Sequence, residues 1–459
     1  MTDVDVPSVS IAEQIARFAA EVDVTAVPSS VAERAKDFVL HALAVGLAGR
    51  EAGYGTIADA AACGFEGNGP SRSLVSGRRC EPATAAFVNS VHLHARAQED
   101  TCGTFHPGIT VIPAALAMSE ATGCDGQTFL SGVVAGYEAG IALAGPLTDV
   151  TTPPFRATSA FGPVAAAVAA GRVAGLPPDR LMSAISLAAA MSGGTSESFS
   201  AGTDEWHFQP GIAAMIGVNA ATLAAHGAVG SSTSFEAATG YLDCLAPSLA
   251  DRKGLAENLG AQWGLLAVTF KPYPVCAFNQ TPGMLAARMA AAGIRPSDIA
   301  SVELRMNPRE ATYPGMPHAG PFDNVNQTLM SARFAFAAGL VHGEIRYATL
   351  RRFDDRDVMD LVAKIDLVAE PSRPPKTAFA VLTMKDGFVV SDAIEDSESL
   401  LRWDSAGVVA NAWQLQPETG LSRDQFTSFL DAVEALPDSA GVDGLVRAVL
   451  STSPAMACP

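Results

Sequence analysis

The chain has 459 residues, of which 48% are hydrophobic and only 17% charged, a balance that excludes a disordered polymer and, at this length, favours two domains over one core. A net charge of −18 excludes nucleic acid as a partner, because a phosphate backbone needs a basic face. It leaves room for an anionic small molecule held by a local cluster of His, Arg and Lys. Seven cysteines, at 63, 80, 102, 124, 244, 276 and 458, form no CxxC pair and no ligand-like spacing with the eight histidines, so they read as reduced thiols of a cytoplasmic protein without a metal.

The N-terminal stretch MTDVDVPSVSIAEQIARF carries acids early and begins an amphipathic helix rather than a signal peptide. In VAERAKDFVLHALAVGLAG (31–49), Ala35, Phe38, Val39, Ala42 and Val45 fall on one helical face, with Gly49 as the stop. Helical patterns follow over 83–95, 109–122, 127–144, 158–175, 179–192, 211–227 and 255–260, many of them nearly all Ala, Val, Ile and Leu and therefore buried on most sides. The apolar runs stop at Arg172 or are broken by Glu138, short of the roughly 20 residues a membrane span requires, so no membrane partner is expected. No glycine-rich phosphate loop occurs. After about residue 266 the texture changes: 301–306, 363–368, 377–384 and 387–392 read as strands, with helices over 326–343 and 355–362. Helix returns from about 402, where SRDQFTSFLDAVEAL opens at a Ser cap. The fold class expected is mainly α with an inserted α+β domain: a large all-helical domain formed by both chain ends (1–267 and 397–459) and a smaller α+β lid domain (268–396).

Four stretches carry candidate chemistry. In QEDTCGTFHPGITVIPAALAMSE (98–120), Glu99, Asp100, Thr101, Cys102 and His106 gather just before a helix that Thr104 or Thr110 could cap. Pro107 holds its predecessor extended and Gly108 permits close approach, which puts the His106 imidazole at a helix mouth. There it is either an acid, a base or a carboxylate ligand, or a plain cap or core side chain. In SGGTSESFSAGTDEWHFQPGIAA (192–214), Glu205 and His207 share a cavity if the backbone is extended; otherwise they belong to an ordinary acidic helix start. TFKPYPVCAFNQTPG (269–283) lies at the domain junction, where clefts form, and offers Lys271, Tyr273, Cys276, Asn279 and Gln280; a hinge without chemistry is the alternative. NPREATYPGMPHAGPF (307–322) carries Arg309, Tyr313 and His318 and reads as a lid loop or as a long connection.

Together these stretches resemble the MmgE/PrpD family over nearly the whole chain. The likeness rests on LAVGLAG, AAFVNSVHLHA (85–95), D-T followed by HPG and P-A-A-L-A (100–117), FRATSAFGPVAAAVAAGRVAGL (155–176), PGIAA (210–214), SFEAATGY (234–241) and KPYP-C (271–276). The family comprises 2-methylcitrate dehydratases, cis-aconitate decarboxylases and iminodisuccinate epimerases. The resemblance implies a helical domain plus an α+β lid, a homodimer, no metal or organic cofactor, and proton transfer at a carbon next to a carboxylate. Several positions depart from the family pattern. Ala97 stands four residues before Thr101 where the decarboxylase has Asp, and Arg156 replaces a His. Trp206 and Gln209 replace the Lys and His of a K-x-L-H segment, with His207 between them, and Gln280 replaces a later His. Most of the decarboxylase's acid–base set is thereby absent.

The expected function is a cofactor-independent lyase acting on a small carboxylated substrate with loss of water or CO2. The expected catalytic residues are His106, His207, Asp100 and Tyr313, with Thr101, Arg156, Thr158, Lys271, Tyr273 and Gln280 binding substrate. An epimerase or isomerase with His106 and His207 as opposed bases, and a non-catalytic metabolite-binding relative, are the alternatives.

Overall fold

A computed structural model describes residues 9–62, 68–147, 155–247, 249 and 253–451; Cys63 and Cys458 lie outside them. The first ten α-helices are α1 (Ile11–Glu21), α2 (Ser29–Ala48), α3 (Tyr54–Ala62), α4 (Pro82–His94), α5 (Gly108–Thr122), α6 (Gly126–Leu147), α7 (Ala157–Val173), α8 (Pro178–Ala190), α9 (Glu197–Ala201) and α10 (Glu205–Ala225), with a small antiparallel ribbon of β1 (Ser71–Arg72) and β2 (Arg79–Cys80) before α4. Local chemistry explains several boundaries. Ser10 opens α1 with a capping box, its hydroxyl accepting from the Glu13 N–H while the Glu13 carboxylate accepts from the Ser10 N–H at 2.9 Å. Gly49 ends α2 as read from the sequence.

After α11 (Tyr241–Leu245) come α12 (Gln280–Ala291), β3 (Ile299–Met306), α13 (Pro308–Ala311), α14 (Val325–Met330), α15 (Ala332–His342), α16 (Tyr347–Leu350), α17 (Arg356–Val362), β4 (Ile365–Ala369), β5 (Ala378–Met384) and β6 (Val389–Ile394). The four strands form one mixed sheet in the order β4-β3-β5-β6: β3 runs parallel to β4, with Val302 opposite Ile365, and antiparallel to β5, with Leu304 opposite Ala380. The chain closes with α18 (Ser397–Leu401), α19 (Ser405–Leu415), α20 (Arg423–Glu434) and α21 (Asp443–Leu450). Ser422 caps α20 in a second capping box, with Gln425 as the reciprocal partner.

Three expectations are corrected. Residues 255–260 are not an α-helix: one short 3-10 turn, Lys253–Leu255, ends where the segment begins, the next, Gly264–Ala267, lies beyond it, and Gly260 takes φ +80°, which no continuing helix allows. The 326–343 helix is two helices, because Ser331 adopts an extended backbone and its hydroxyl caps α15 by accepting from the Phe334 N–H at 3.1 Å. The run that ends at Arg172 does stop short, α7 having 17 residues, but the expectation that no apolar run reaches bilayer length fails elsewhere: α6 and α10 are 22 and 21 residues long and pass for membrane spans by length and composition. Their apolar windows are 83% and 50% buried inside the fold. Glu138 does not break α6, because its carboxylate accepts from the Leu265 N–H at 2.7 Å and the Gly264 N–H at 3.1 Å, which satisfies the buried charge within the helix.

The described interior contains two large apolar clusters. One joins side chains from Ile11 to Phe270 with Val408 to Val449; the other joins Val275 to Ile394 with Ala97, Phe199 and Trp206. In the first, helices built from Ala and Gly approach closely. A Cβ on Gly217 of α10 would lie 2.6 Å from the Ala167 nitrogen of α7, so nothing larger than hydrogen fits. Replacing Gly217 with Val is expected to cost about 1–3 kcal/mol and to lower the urea midpoint; a midpoint equal to that of the native chain would show that α7 and α10 do not meet there.

Candidate active site

The site begins where α4 ends. After His94 the chain turns through Ala97, which holds φ +55°, an uncommon conformation for a residue with a Cβ. It then runs extended, and Thr101 pairs antiparallel with Thr269 through N–H to carbonyl bonds of 2.8 and 3.0 Å. Antiparallel register keeps the sum of paired numbers constant, so Glu99 stands opposite Lys271 on one face. Their side chains meet there: the Lys271 ammonium donates to Glu99 Oε1 at 2.8 Å and to the Ala97 carbonyl at 2.7 Å, with both side chains 1% exposed.

His106 is fixed from three sides. Its backbone N–H donates to Thr158 Oγ1 at 3.2 Å, and its ring Nδ1 lies 3.2 Å from the Asp100 carbonyl and 3.4 Å from Glu99 Oε1. A carbonyl only accepts, so Nδ1 carries the proton and Nε2 presents a bare lone pair. Arg156, just before α7, sends its guanidinium to the Trp206 carbonyl, to Gln209 Oε1 at 3.4 Å and to His94 Nε2 at 2.8 Å. His94 therefore accepts at Nε2 and carries its proton on Nδ1, which lies 3.2 Å from Glu99 Oε2 without hydrogen-bond geometry.

These groups surround a cavity of about 50 Å³. Glu99, His94, His106, Arg156 and Lys271 form its ionisable wall; Thr104, Cys276 and Tyr313 add polar atoms, and Phe199, Trp206, Phe278, Leu329 and Met330 form an apolar roof. The N-termini of α5, α7 and α10 begin beside lining residues, which favours negative charge in the space between them. Gly315, at φ +86°, lets the Tyr313 loop approach, since a Cβ there would sit 2.6 Å from the Phe199 carbonyl oxygen. A larger depression of about 820 Å³ lies on the surface beside Arg17, Phe18, Glu257 and Trp263. It is open to solvent and gathers no buried ionisable set, so the smaller cavity is the chemical candidate.

Charge states follow from burial and neighbours. Burial opposes ionisation of Glu99, but Lys271, His94 and His106 outweigh it and hold the carboxyl well below its ordinary value. Burial, then Lys271, pushes His106 down to about 3, and burial pushes His94 down to about 4. Burial lowers Arg156 to about 10 against the pull of Glu99, so it stays cationic at neutral pH. Burial also raises the Tyr313 phenol and brings the Cys276 thiol to about 11. The wall thus presents one carboxylate, two cations and neutral imidazoles. Among the described residues no group of three or more His, Cys, Asp or Glu is arranged to hold a metal ion; Lys271 supplies the positive charge against Glu99 instead.

The structure brings together four of the expected residues, His106, Arg156, Lys271 and Tyr313, with Thr158 supporting His106 from behind. It places the others elsewhere. Asp100 turns away from the cavity: it accepts from the Gly108 N–H at 3.2 Å and from the Tyr137 hydroxyl at 2.6 Å. It is thus the side-chain acceptor at the start of α5, the place expected for Thr104 or Thr110. Thr101 turns its hydroxyl to the Gly103 carbonyl at 2.7 Å. Glu205 and His207 are not extended but lie in the first turn of α10, where a spacing of two sends side chains to different faces; Glu205 is exposed and His207 is 1% exposed. His207 bonds Asn326 Oδ1 through Nε2 at 2.9 Å and stacks on Tyr54 at 3.5 Å between ring centres, one layer behind His94. Gln280 staples the 273–275 loop from its far side, bonding Tyr273 N and O at 3.2 and 2.9 Å and Val275 O at 3.0 Å, while Tyr273 packs on Gly283. Sequence reasoning did not assign Glu99, His94 or Trp206 to the site. The adjacent acids at 99 and 100 were the one signal for Glu99.

Comparison with known proteins agrees with this architecture. Residues 13–251 match the MmgE/PrpD N-terminal domain and residues 273–398 the MmgE/PrpD C-terminal domain. Cis-aconitate decarboxylase of Aspergillus terreus is 24% identical over 392 residues, 77% of each chain. Cis-aconitate decarboxylase of Mus musculus is 24% identical over 406 residues, 82% of this chain and 80% of the relative. A cis-aconitate decarboxylase-like protein of Aspergillus oryzae is 27% identical over 245 residues, 51% of each. With both domain matches in chain order on a mainly helical fold that carries one small mixed sheet, the chain belongs to the MmgE/PrpD family.

Proposed function

We propose that this protein is a lyase that removes a proton from the carbon next to a carboxylate of a small acid and expels water, without a cofactor. The observation that carries the reading is that His106, whose Nδ1 is held by the Asp100 carbonyl so that Nε2 is left as the proton acceptor, lines a cavity together with Arg156 and the protonated Tyr313 phenol. His106 takes the proton, the C–H electron pair becomes the new C=C bond, and the C–O bond breaks as Tyr313 protonates the departing hydroxide. Both residues then re-equilibrate their protons with solvent. Arg156 and the helix N-termini stabilise the enolate-like charge that builds on the carboxylate.

The names of the relatives support a second lyase reading, loss of CO2, with Tyr313 supplying the proton to the resulting carbanion. The three carboxylates of cis-aconitate are poorly matched by a wall whose Lys271 is already committed to Glu99, which favours a less charged substrate. An epimerase with His106 and His207 as its two bases loses support, because His207 is turned to Asn326. The five described cysteines are free thiols, in keeping with a cytoplasmic setting. A homodimer is supported by α10, whose partly open stripe of Ile212, Met215, Asn219 and Leu223 repeats at helical spacing.

Three outcomes are expected. Screening a panel of 2- and 3-hydroxy acids by proton NMR in D2O should reveal a vinylic product, and His106→Asn should lower kcat by about 10²–10⁴ with circular dichroism unchanged; full activity in that variant would remove His106 as the base. A protonated imidazole cannot accept a proton, and His106 sits near 3 instead of the ordinary 6.5. Activity is therefore lost only as pH falls toward that value, and kcat/KM should stay flat from about pH 8 to about pH 5. An acid limb centred near 6.5 would contradict the buried, neutral ring. Light scattering should give twice the chain mass, and Leu223→Glu should give the monomer; a monomeric native protein would end the dimer reading.

A further inference from the structure

Three buried polar atoms of the cavity wall make no hydrogen bond among the described residues: His94 Nδ1, Glu99 Oε2 and Trp206 Nε1. The first two lie 3.2 Å from each other, so each has a complementary neighbour. The indole N–H has none, although Trp206 is only 2% exposed. A buried donor without an acceptor is costly, and folded chains seldom keep one. The residues packed on the indole do not relieve it. Arg156, 5.8 Å from the ring centre, only donates. His94 meets the ring edge-on at 5.0 Å, but its Nε2 already accepts from Arg156. His207 lies over the ring face at 3.7 Å, out of the plane that contains the N–H, and Phe199 at 5.7 Å is hydrocarbon. Trp403, by contrast, donates its own indole N–H to the Leu400 carbonyl at 3.0 Å.

Charge decides what this donor receives. Lys271 cancels Glu99, the imidazoles are neutral, and the Tyr313 phenol and Cys276 thiol keep their protons. Arg156 is left as one net positive charge on the wall, and one carboxylate neutralises it. A second carboxylate would lose its water without gaining a counter-charge. An uncharged oxygen carries no such penalty and still accepts from the indole. We infer that Trp206 is a specificity-determining residue whose indole N–H donates to an uncharged carbonyl oxygen of the substrate, while Arg156 holds its single carboxylate. The substrate class is then a small monocarboxylic acid that bears a ketone, ester or amide in addition to the hydroxyl that leaves. A donor fixed in a dry wall rejects analogues without the acceptor far more sharply than an apolar pocket rejects a missing methylene.

The indole contact rests on reading the cavity as the reacting site, so its test is equilibrium binding rather than turnover. Calorimetry on the full chain compares levulinate with isocaproate and succinate, and glutaramate with isoheptanoate and glutarate. Within each set the far end changes from carbonyl to hydrocarbon to carboxylate at fixed length. At least one carbonyl acid is expected to bind about tenfold more tightly than both of its partners. Trp206→Phe keeps an aromatic ring and removes the N–H, and there the preference should shrink to about threefold or less. The native chain also reports directly: with isotope-labelled tryptophan it shows four indole signals, and that of Trp206 should move downfield with the carbonyl acid but not with the hydrocarbon one. The signal missing in Trp206→Phe identifies it; if that variant does not fold, it is the signal left after Trp263, Trp403 and Trp413 are replaced singly by Phe. Equal affinities within both sets, no binding by any probe, a preference that survives Trp206→Phe, or an indole signal indifferent to the ligand would overturn the assignment. His106→Asn should keep the native preference, and its loss there would show that the imidazole receives the carbonyl instead. Retained turnover in that variant would overturn the base assignment while leaving the indole contact to stand on binding alone.

Discussion

The buried pair of Glu99 and Lys271 is the interaction on which the site depends. A carboxylate taken out of water alone costs several kcal/mol even after relaxation, and this one is 1% exposed. Its compensation comes from a residue 172 positions away, delivered opposite it by the Thr101–Thr269 bridge. The same ammonium bonds the Ala97 carbonyl and so also holds the left-handed turn that carries the chain from α4 into the site. Once the two charges cancel, Arg156 is the lining cation that has no ion-pair partner among the described residues, which is how a strongly acidic protein can present an anion-attracting pocket.

Four helix ends surround that pair. His94 ends α4, His106 precedes α5, Arg156 precedes α7, and Trp206 lies in the first turn of α10. These helices touch one another through Ala and Gly, whose short side chains bring backbones close and fix their relative positions. A Cβ on Gly108 would lie 2.7 Å from the Tyr137 hydroxyl, so even the glycine of the His-Pro-Gly sequence is set by packing behind the site. The result is preorganisation: lone pairs and donors stand in place before any ligand arrives.

Periodicity made most of the secondary structure legible. The strand expected at 301–306 is observed at Ile299–Met306, and the helix expected at 83–95 is Pro82–His94. It failed where a single residue overrode its neighbours, as Ser331 does by capping a new helix inside one apolar run. The site was legible where chemistry was declared locally, as with His106 before Pro-Gly and Lys271 before Pro-Tyr-Pro. It was not legible where a side chain's direction depends on a distant partner. His207 reads as a base in isolation, yet it is turned by Asn326 on another element; Asp100 reads as an acid, yet its oxygens are used by Gly108 and Tyr137. Glu99 stayed unassigned because nothing within its own stretch marks Lys271 as its counter-charge.

The Thr101–Thr269 bridge has a mechanical side. Paired backbone bonds lock the ionisable wall to the segment bearing Lys271, so those two strips shift only as one rigid jaw. The Tyr313 backbone N–H, in contrast, bonds within its own turn to the Glu310 carbonyl at 3.1 Å, without a strand partner to brace it. That turn is braced through side chains instead: Glu310 Oε1 accepts from the Lys376 N–H at 2.7 Å, and the Asn307 amide donates to the Arg373 carbonyl at 2.8 Å. Wall and phenol are therefore anchored by unlike devices, a main-chain bridge on one side and side-chain clamps on the other, so losing a clamp would release the phenol while the wall kept its place.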